Sequence, residues 1–450
     1  MSKRLLFINP RPKTDVNLGT DVSFMNIPPM SFGYLAACTP SDWEIKVIDE
    51  NLKRYNGEDA DLVCFTSVTN NAPRVYELAF MFKEKGITTI MGGIHASMMP
   101  DEASRFVDTV VVGEGEKVWP KIISDFEKNR LKSYYKGEKA SLDKLPIPRR
   151  DIYSKKYKNR GLIQTVQTAR GCPMDCDFCS VTVFNGGLYR QRPVDDVLDE
   201  LETLNSKFVF FIDDNILGYG KAAEKRAIDL FKGIIDRGLN IKWGSQASIN
   251  FVNNDEVLKY ASESGCFGMF CGFESLNEES LKGMHKVRNL KEGVSKFKED
   301  IRKFQDSGIG VLGSFIFGND SDKKDIFKKT SDFIFDSGLD GSQLSILTPF
   351  PGTKLYQRLK DENRLTHTDY PNDWVYYDVG HLLFKPKSMT SEELLHGTYD
   401  VYKETTSISS SFRRGLVSLM RTKNIYTSAT SYLCNRGYGS LFIKKLEKQI

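Results

Sequence analysis

Short apolar runs alternate with amphipathic helical stretches twice along this chain, and any fold it adopts must satisfy that alternation. Parallel strands cannot be joined by tight turns; each needs a crossover of about a dozen residues or more, which a helix supplies. In the first series the apolar runs are residues 5–9, 44–49, 61–67, 87–92 and 109–113, with helical spacing between them, as at 72–85. This reads as a doubly wound, Rossmann-like α/β domain over residues 1–130. Its ligand crevice is expected beyond the carboxyl ends of the strands, where residues 9–12, 67–71, 92–97 and 113–116 are glycine-rich or small and polar. None of these loops is a GxGxxG followed by an acidic ribose anchor, which argues against a dinucleotide. Residues 131–160 are polar and basic, with Pro146 and Pro148, and read as a linker. The second series has strand candidates at 161–168, 208–213, 241–245, 268–272, 310–317 and 343–347. Six βα units without a seventh and eighth predict a partial (β/α)6 barrel of the TIM type over 161–356, with its chemistry at the carboxyl ends of the strands. Residues 357–450 read as a mainly helical C-terminal domain.

Composition excludes several classes. Of 450 residues, 40% are hydrophobic and 27% charged, enough apolar mass for packed cores. No apolar stretch approaches the roughly 18 to 20 residues of a membrane span, and Met1-Ser2-Lys3-Arg4 precedes only a short apolar run, so a cytoplasmic protein is expected. A net charge of +4 is too mild for a nucleic-acid binder. That charge is unevenly spread, because residues 401–450 hold nine Lys/Arg against two Glu, a local +7 that leaves −3 for the rest. In this tail Phe412, Leu416, Leu419 and Met420 fall near one helical face among Arg413, Arg414 and Arg421, and Leu441-Phe442-Ile443 precedes Lys444 and Lys445. Basic and apolar residues together suit an anionic membrane surface, so a peripheral membrane contact stands beside the plainer reading of a packed terminal element.

Three of the eight cysteines, Cys172, Cys176 and Cys179, crowd into Arg170-Gly171-Cys172-Pro173-Met174-Asp175-Cys176-Asp177-Phe178-Cys179, directly after the first barrel strand. Three thiolates on one tight loop can hold three irons of a [4Fe-4S] cube and leave the fourth iron free to bind another molecule. A structural zinc would need a fourth Cys or His at matching spacing, and the nearest histidine, His95, belongs to the other domain. Cys266 and Cys271 flank an apolar strand and read as packing residues.

This CxxxCxxC loop, with an aromatic before its last cysteine, resembles the signature of the radical S-adenosylmethionine (SAM) enzymes. The resemblance implies that SAM chelates the open iron and that one-electron reduction, by a donor such as flavodoxin or ferredoxin, releases a 5′-deoxyadenosyl radical. It also implies SAM contacts at Phe178 beside the adenine, at Asp213 and Asp214 after the second strand, at Gln246 after the third, and at Glu274 in Gly272-Phe273-Glu274-Ser275. Residues 313–318 would bring backbone close to the cofactor, and residues 348–353 would line the mouth or simply close the barrel.

An α/β domain ahead of such a barrel resembles the cobalamin-binding branch of that superfamily, through Gly92-Gly93-Ile94-His95 and Val112-Gly113-Glu114-Gly115-Glu116. The DxHxxG motif that supplies a lower axial histidine is absent. The resemblance implies cobalamin contacts at Ser67, Thr69, Asn70, Asn71, Gly93, His95, Gly113 and Glu114, with His95 a hydrogen-bonding residue rather than a cobalt ligand. The function implied is cobalamin-dependent C-methylation of a small-molecule or lipid substrate, in which no general base is needed at an sp3 carbon and no protein catalytic residue is named. Ring formation, rearrangement or carbon–carbon coupling without cobalamin is a second reading. A non-enzymatic cluster or corrinoid sensor is a third, disfavoured by a barrel that still carries Asp214 and Glu274.

Overall fold

The structure, a computed structural model, describes residues 2–12, 27–139, 141–153 and 163–450. Among these residues the apolar runs of the first series form β1 (Arg4–Asn9), β2 (Glu44–Asp49), β3 (Leu62–Thr66), β4 (Thr88–Gly92) and β5 (Thr109–Gly113), joined at the edge by β6 (Tyr134–Gly137). The order is β2-β1-β3-β4-β5-β6 with every pair parallel, so the sheet changes its direction of growth between β1 and β3, at the expected crevice. Both faces are covered. Leu6, Ile8, Val63 and Phe65 pack with Val75, Leu78 and Phe82, while Leu5, Phe7, Leu62 and Cys64 pack with Phe32, Trp119 and Ile122. Burial on both sides is why these strands read as unbroken apolar runs.

β6 lies within the stretch read as linker. Only Tyr135 and Gly137 of its four residues turn inward, so no apolar run announced it. Glycines let it approach: a Cβ on Gly113, whose φ is +85°, would stand 2.6 Å from the Gly137 carbonyl oxygen. Further along, the Arg149 amide donates to Gly33 O (3.0 Å) and the Tyr153 hydroxyl accepts from the Gly33 amide (3.1 Å). Arg150 instead reaches the second domain, donating to Thr165 O at 2.7 Å and Glu200 Oε1 at 2.5 Å. The expected linker residues 154–160 and the first two residues of the strand candidate at 161–168 lie outside the described residues.

In the second domain β7 (Gln164–Val166) opens a sheet, β8 (Ala169–Arg170) and β9 (Arg190–Gln191) form a separate antiparallel ladder, and the sheet continues with β10 (Phe208–Phe211), β11 (Lys242–Ala247), β12 (Cys266–Glu274), β13 (Gly310–Phe317) and β14 (Gly341–Ile346). Its order is the order of the sequence and every pair is parallel, the arc of a partial barrel. Side chains alternate across it. Val311, Phe315 and Phe317 of β13 join a core with Phe297, Phe304 and Phe333 of the outer helices, and the intervening residues face the concave side. Gly313, expected near the cofactor, belongs to the outer face, where a Cβ would meet Leu339 and Phe273; Gly318 packs against Leu394 and Phe384.

The C-terminal region carries helices Ser391–Thr406, Ile408–Thr422 and Ile425–Leu446. The first is set by a capping box: the Thr390 hydroxyl accepts from the Glu393 amide (3.1 Å) and the Glu393 carboxylate from the Thr390 amide (3.0 Å). The last crosses the lower end of the barrel, where Thr427 Oγ1 donates to Phe267 O (2.7 Å) and Ser431 Oγ to Asp340 O (2.5 Å). Part of the expected membrane-facing tail is therefore interior. Phe442 is buried and stacks on Tyr402, Lys445 pairs with Asp378 at 2.6 Å, and Arg414 is buried with its guanidinium on Leu339 O and Ser342 Oγ. The sequence showed apolar and basic residues without showing which of them the barrel covers. Phe412, Leu416 and Met420 do face outward.

The segment before these helices clamps the first domain. Trp374 is fully buried, and its indole N–H lies 3.0 Å from each Glu102 carboxylate oxygen. The Tyr76 hydroxyl donates to the same carboxylate at 2.8 Å. Burial raises the Glu102 pKa, but the hydrogen bonds from His95, Trp374 and Tyr76 outweigh it and leave the carboxyl below its ordinary 4.5. That stabilisation is thus present above the unfolded-state value and is lost as pH falls through the lower folded-state value. Trp374→Phe is expected to cost about 1–3 kcal/mol at neutral pH, read as a lowered thermal midpoint. The gap from the natural protein should narrow on acidification below pH 4.5.

Candidate active site

The ladder of β8 and β9 pairs Ala169 with Gln191 and Arg170 with Arg190, closing residues 171–189 into one loop. Gly171 opens it at φ +90°, where a Cβ would stand 2.0 Å from Leu188 O, so only glycine allows the entry. Three elements hold the loop: the Gly171 amide donates to Asp214 Oδ2 (3.0 Å), the Asp177 amide to Met284 O (3.1 Å) and the Leu355 amide to Asp177 O (3.0 Å). Cys172, Cys176 and Cys179 ride on it as free thiols. Burial pushes all three thiols up, Cys176 to about 11, while Lys286 works in the opposite direction on each; the Val181 and Thr182 amides also lower Cys179. A cation and amides aimed at buried sulfurs favour the thiolate, the form that binds metal.

Among the described residues no three His, Cys, Asp or Glu side chains converge as a single metal ion requires. An iron–sulfur cube takes its thiolates at separate corners, so three cysteines without a fourth ligand fit a [4Fe-4S] cluster with one iron left open.

Glu274 ends β12 in a left-handed conformation, φ +65°, and the ladder to β13 slips between Gly272 and Glu274. Such a bulge re-aims a side chain. It persists because Asn289 Nδ2 donates to Gly272 O (2.8 Å) and Phe273 O (2.9 Å). The re-aimed carboxylate accepts from Lys286 Nζ at 2.6 Å. Gly272 makes room for the pair, since a Cβ there would lie 2.2 Å from Glu274 Oε1 and 3.0 Å from Lys286 Nζ. Burial opposes the Lys286 charge, but Glu274 and the sulfurs of Cys176 and Cys179 hold its pKa above the usual lysine value. The sequence reading did not single out Lys286. The signal was indirect: a buried Glu274 needs a cation, and the short helix Glu278–Gly283 turns the chain back towards it.

Two adjacent aspartates split their roles. Asp213 is fully buried, with both oxygens taken by the Thr168 and Ala169 amides (2.6 and 3.0 Å) and the Thr168 hydroxyl (2.5 Å), so it braces the approach to the loop rather than meeting a cofactor. Asp214 lines an interdomain cleft of about 380 Å³. From the first domain that cleft is walled by Gly92, Gly93, Ile94 and residues 113–116, and from the barrel by Gln167, Arg170, Val181 and Phe184. Gly93 (φ +97°) must be glycine because a Cβ would strike Ser67 O at 2.7 Å. The result is a wall of bare backbone facing apolar side chains, which fits the face of a planar macrocycle such as a corrin. Arg170 bridges the cleft, with Glu116 at 2.5 Å and Glu114 at 3.2 Å, and Arg190 also pairs with Glu114.

The remaining expected residues lie elsewhere. Phe178 packs against the barrel core, and Gln246 lines a different cavity inside the barrel. Ser67 bonds Asn71 (2.9 Å) and Asn71 Nδ2 bonds Pro10 O (3.2 Å), knitting two strand ends together. Thr69, Asn70 and Asn71 form one short turn against Asn372–Tyr376. His95 is fully buried, its Nε2 3.1 Å from the Tyr76 hydroxyl and its ring edge-on to Trp374, outside the cleft lining. Of the expected corrin contacts, Gly93, Gly113 and Glu114 reach the cleft.

Residues 166–334 match the model of the Radical SAM superfamily and residues 21–123 that of the B12 binding domain. The chain is 32% identical over 427 residues to bacteriochlorophyllide d C-12(1)-methyltransferase of Chlorobaculum tepidum, covering 92% of this chain and 89% of that protein. To bacteriochlorophyllide d C-8(2)-methyltransferase of the same organism it is 30% identical over 375 residues, 79% of this chain and 80% of the relative. It also superposes, with TM-score 0.70, 16% identity and 100% of both chains covered, on the radical S-adenosylmethionine methyltransferase TsrM of Kitasatospora setae, solved with cobalamin and a [4Fe-4S] cluster; at that identity the likeness is one of fold.

Anaerobic reconstitution should load about four irons per chain and give thiolate-to-iron absorption in the visible range. Cys176→Ala is expected to abolish that absorption; a variant that keeps it would remove the loop as the cluster site.

Proposed function

The chain belongs to the radical SAM superfamily, in the branch that carries an N-terminal B12-binding domain, and on that premise we propose that it methylates an unactivated carbon of an apolar small-molecule or lipid substrate. One observation carries the reading: Val181 and Phe184, from the later part of the loop that bears the cysteines, line the same cleft as the bare glycine wall of the first domain, with Arg170 and Asp214 beside them and residues 92–94 and 113–116 opposite. Two relatives named as methyltransferases support methyl transfer as the outcome. When bound, the cluster and SAM supply a 5′-deoxyadenosyl radical that takes hydrogen from carbon, and cobalamin supplies the methyl group.

The protein's share is placement. Cys172, Cys176 and Cys179 hold three irons; Glu274 and Lys286 present opposite charges to the amino-acid end of SAM; Asp214 fixes the loop through the Gly171 amide. Val181 and Phe184 keep water from the cleft, and the Arg170 ion pairs keep its two halves together. Electrons come from an external donor such as flavodoxin or ferredoxin.

A peripheral contact with an anionic membrane belongs to this reading. Residues 408–446 contain no Asp or Glu but seven Lys/Arg. Ile408, Phe412, Leu416 and Met420 stand at four-residue spacing on one helix face, between 46% and 69% exposed. No helix of the described residues is long and apolar enough to cross a membrane.

The reconstituted protein, given SAM, cobalamin, a reductant and substrate, is expected to form 5′-deoxyadenosine and S-adenosylhomocysteine in about equal amounts, because one SAM feeds each half of the chemistry. Deoxyadenosine without S-adenosylhomocysteine would move the assignment to cyclisation, rearrangement or coupling. Replacing Phe412 and Met420 together by serine should weaken binding to phosphatidylglycerol vesicles at least about tenfold. Equal binding by the double variant removes the membrane contact.

A further inference from the structure

The concave face of the barrel holds a second cavity, of about 300 Å³, to which the chemistry above assigns no ligand. The strands β10 to β14 wall it on one side and the helix Ile425–Leu446 on the other, through Thr427, Thr430, Ser431 and Cys434. Its surface is apolar and largely aromatic, from Phe210, Phe267, Phe270, Leu312 and Tyr438. Asp340 is the one carboxylate at its edge; its Oδ2 accepts from the Val311 amide (2.7 Å) and Gln305 Nε2 (3.0 Å), while its buried Oδ1 has no hydrogen-bond partner among the described residues.

A row of glycines crosses this surface. Gly244 pairs with Gly268, and Gly268 with Gly310, on three neighbouring strands. Glycine inside a strand costs backbone entropy and forfeits packing, so it needs a reason: a bend, a bulge or a close approach. Gly310 has one, because a Cβ would stand 2.2 Å from Thr427 Cγ2, and Gly244 is crowded at 3.1 Å by Gly268 O. Gly268 has neither. Its φ is outside the positive-φ set, and the nearest atom to an added Cβ is Gly310 O at 3.8 Å, ordinary van der Waals contact. A side chain there would clash with no protein atom and would project, like Phe270 two residues on, into the cavity.

We propose that the barrel floor around Gly268 is a binding site for a neutral, apolar ring or hydrocarbon moiety, the body of the substrate whose reacting carbon lies at the mouth. The two ends adjoin along one strand: Phe210 lines this cavity and Ile212, two residues on, lines the interdomain cleft. From Gly268 to Glu274 the strand runs about 20 Å, so the site selects an elongated or polycyclic molecule over one the size of an amino acid. Gln246 and Gln343 are among the polar side chains of the lining and offer hydrogen bonds to an oxygen or nitrogen of the ligand. The placement of the reacting carbon rests on the proposed function; the apolar site does not.

The test uses the full chain and N-phenyl-1-naphthylamine, a neutral apolar fluorophore, with no SAM or reductant present. The natural protein should bind it saturably. Gly268→Val on the sheet and Thr430→Phe on the helix should each weaken binding about tenfold or more by filling the space. Gly268→Val should also keep or raise the thermal midpoint, since a β-branched residue favours a strand. No saturable binding by the natural protein, undiminished binding by both variants, a midpoint lowered in both, or binding lost with the Phe412 and Met420 double variant instead, each overturns the site. A failure to form 5′-deoxyadenosine would overturn the proposed function and leave this assignment standing.

Discussion

The Arg170 guanidinium joins the two halves of the molecule. It sits one residue before the glycine that opens the cysteine loop, and it reaches Glu114 and Glu116 at the end of β5 in the other sheet. All three side chains are about nine-tenths buried, so each charge depends on the others: breaking one partner leaves an uncompensated charge in a poorly solvated place. Position and chemistry are thereby coupled. Whatever the first domain holds is registered against the cluster loop by the residue that begins it, and this geometry persists because losing it is electrostatically costly.

The same logic operates on a smaller scale at Glu274. A left-handed glutamate at a slipped strand end is a local strain that an ordinary strand would relax. Asn289 fastens the bulge, Gly272 vacates the space and Lys286 balances the carboxylate, so three unrelated sequence positions support one side chain. That Lys286 also acts on the thiols of the cluster loop makes the pair a bridge between the cysteine loop and β12.

Much of the architecture was legible because parallel strands buried on both faces leave unbroken apolar runs, which is why five strands of the first sheet and all six of the second fall within or beside their expected positions. β6 was not, because a short edge strand turning only Tyr135 and Gly137 inward leaves no such run. The spacing of the three cysteines placed them on one loop, and the ladder of β8 and β9 closes that loop. Residues chosen for standing at strand ends fared unevenly, since adjacency in sequence does not say which way a side chain turns. Asp214 faces the cleft while Asp213 is spent on backbone amides, and Gly93 lines the wall while His95 turns beneath Trp374. Lys286 and the barrel floor depend on contacts between distant segments, which no local pattern encodes.

A closed eight-stranded hoop has its bore set by strand number and shear. Six strands added one after another make an arc with two free ends, β7 and β14, and the arc carries no such closure condition. Here the lower end of the arc is covered by a helix whose inward residues are threonine, serine, cysteine and tyrosine. Exchanging those few side chains resizes the lumen without disturbing the thiol loop or the Arg170 bridge. Selectivity and radical chemistry can therefore diverge independently within one scaffold.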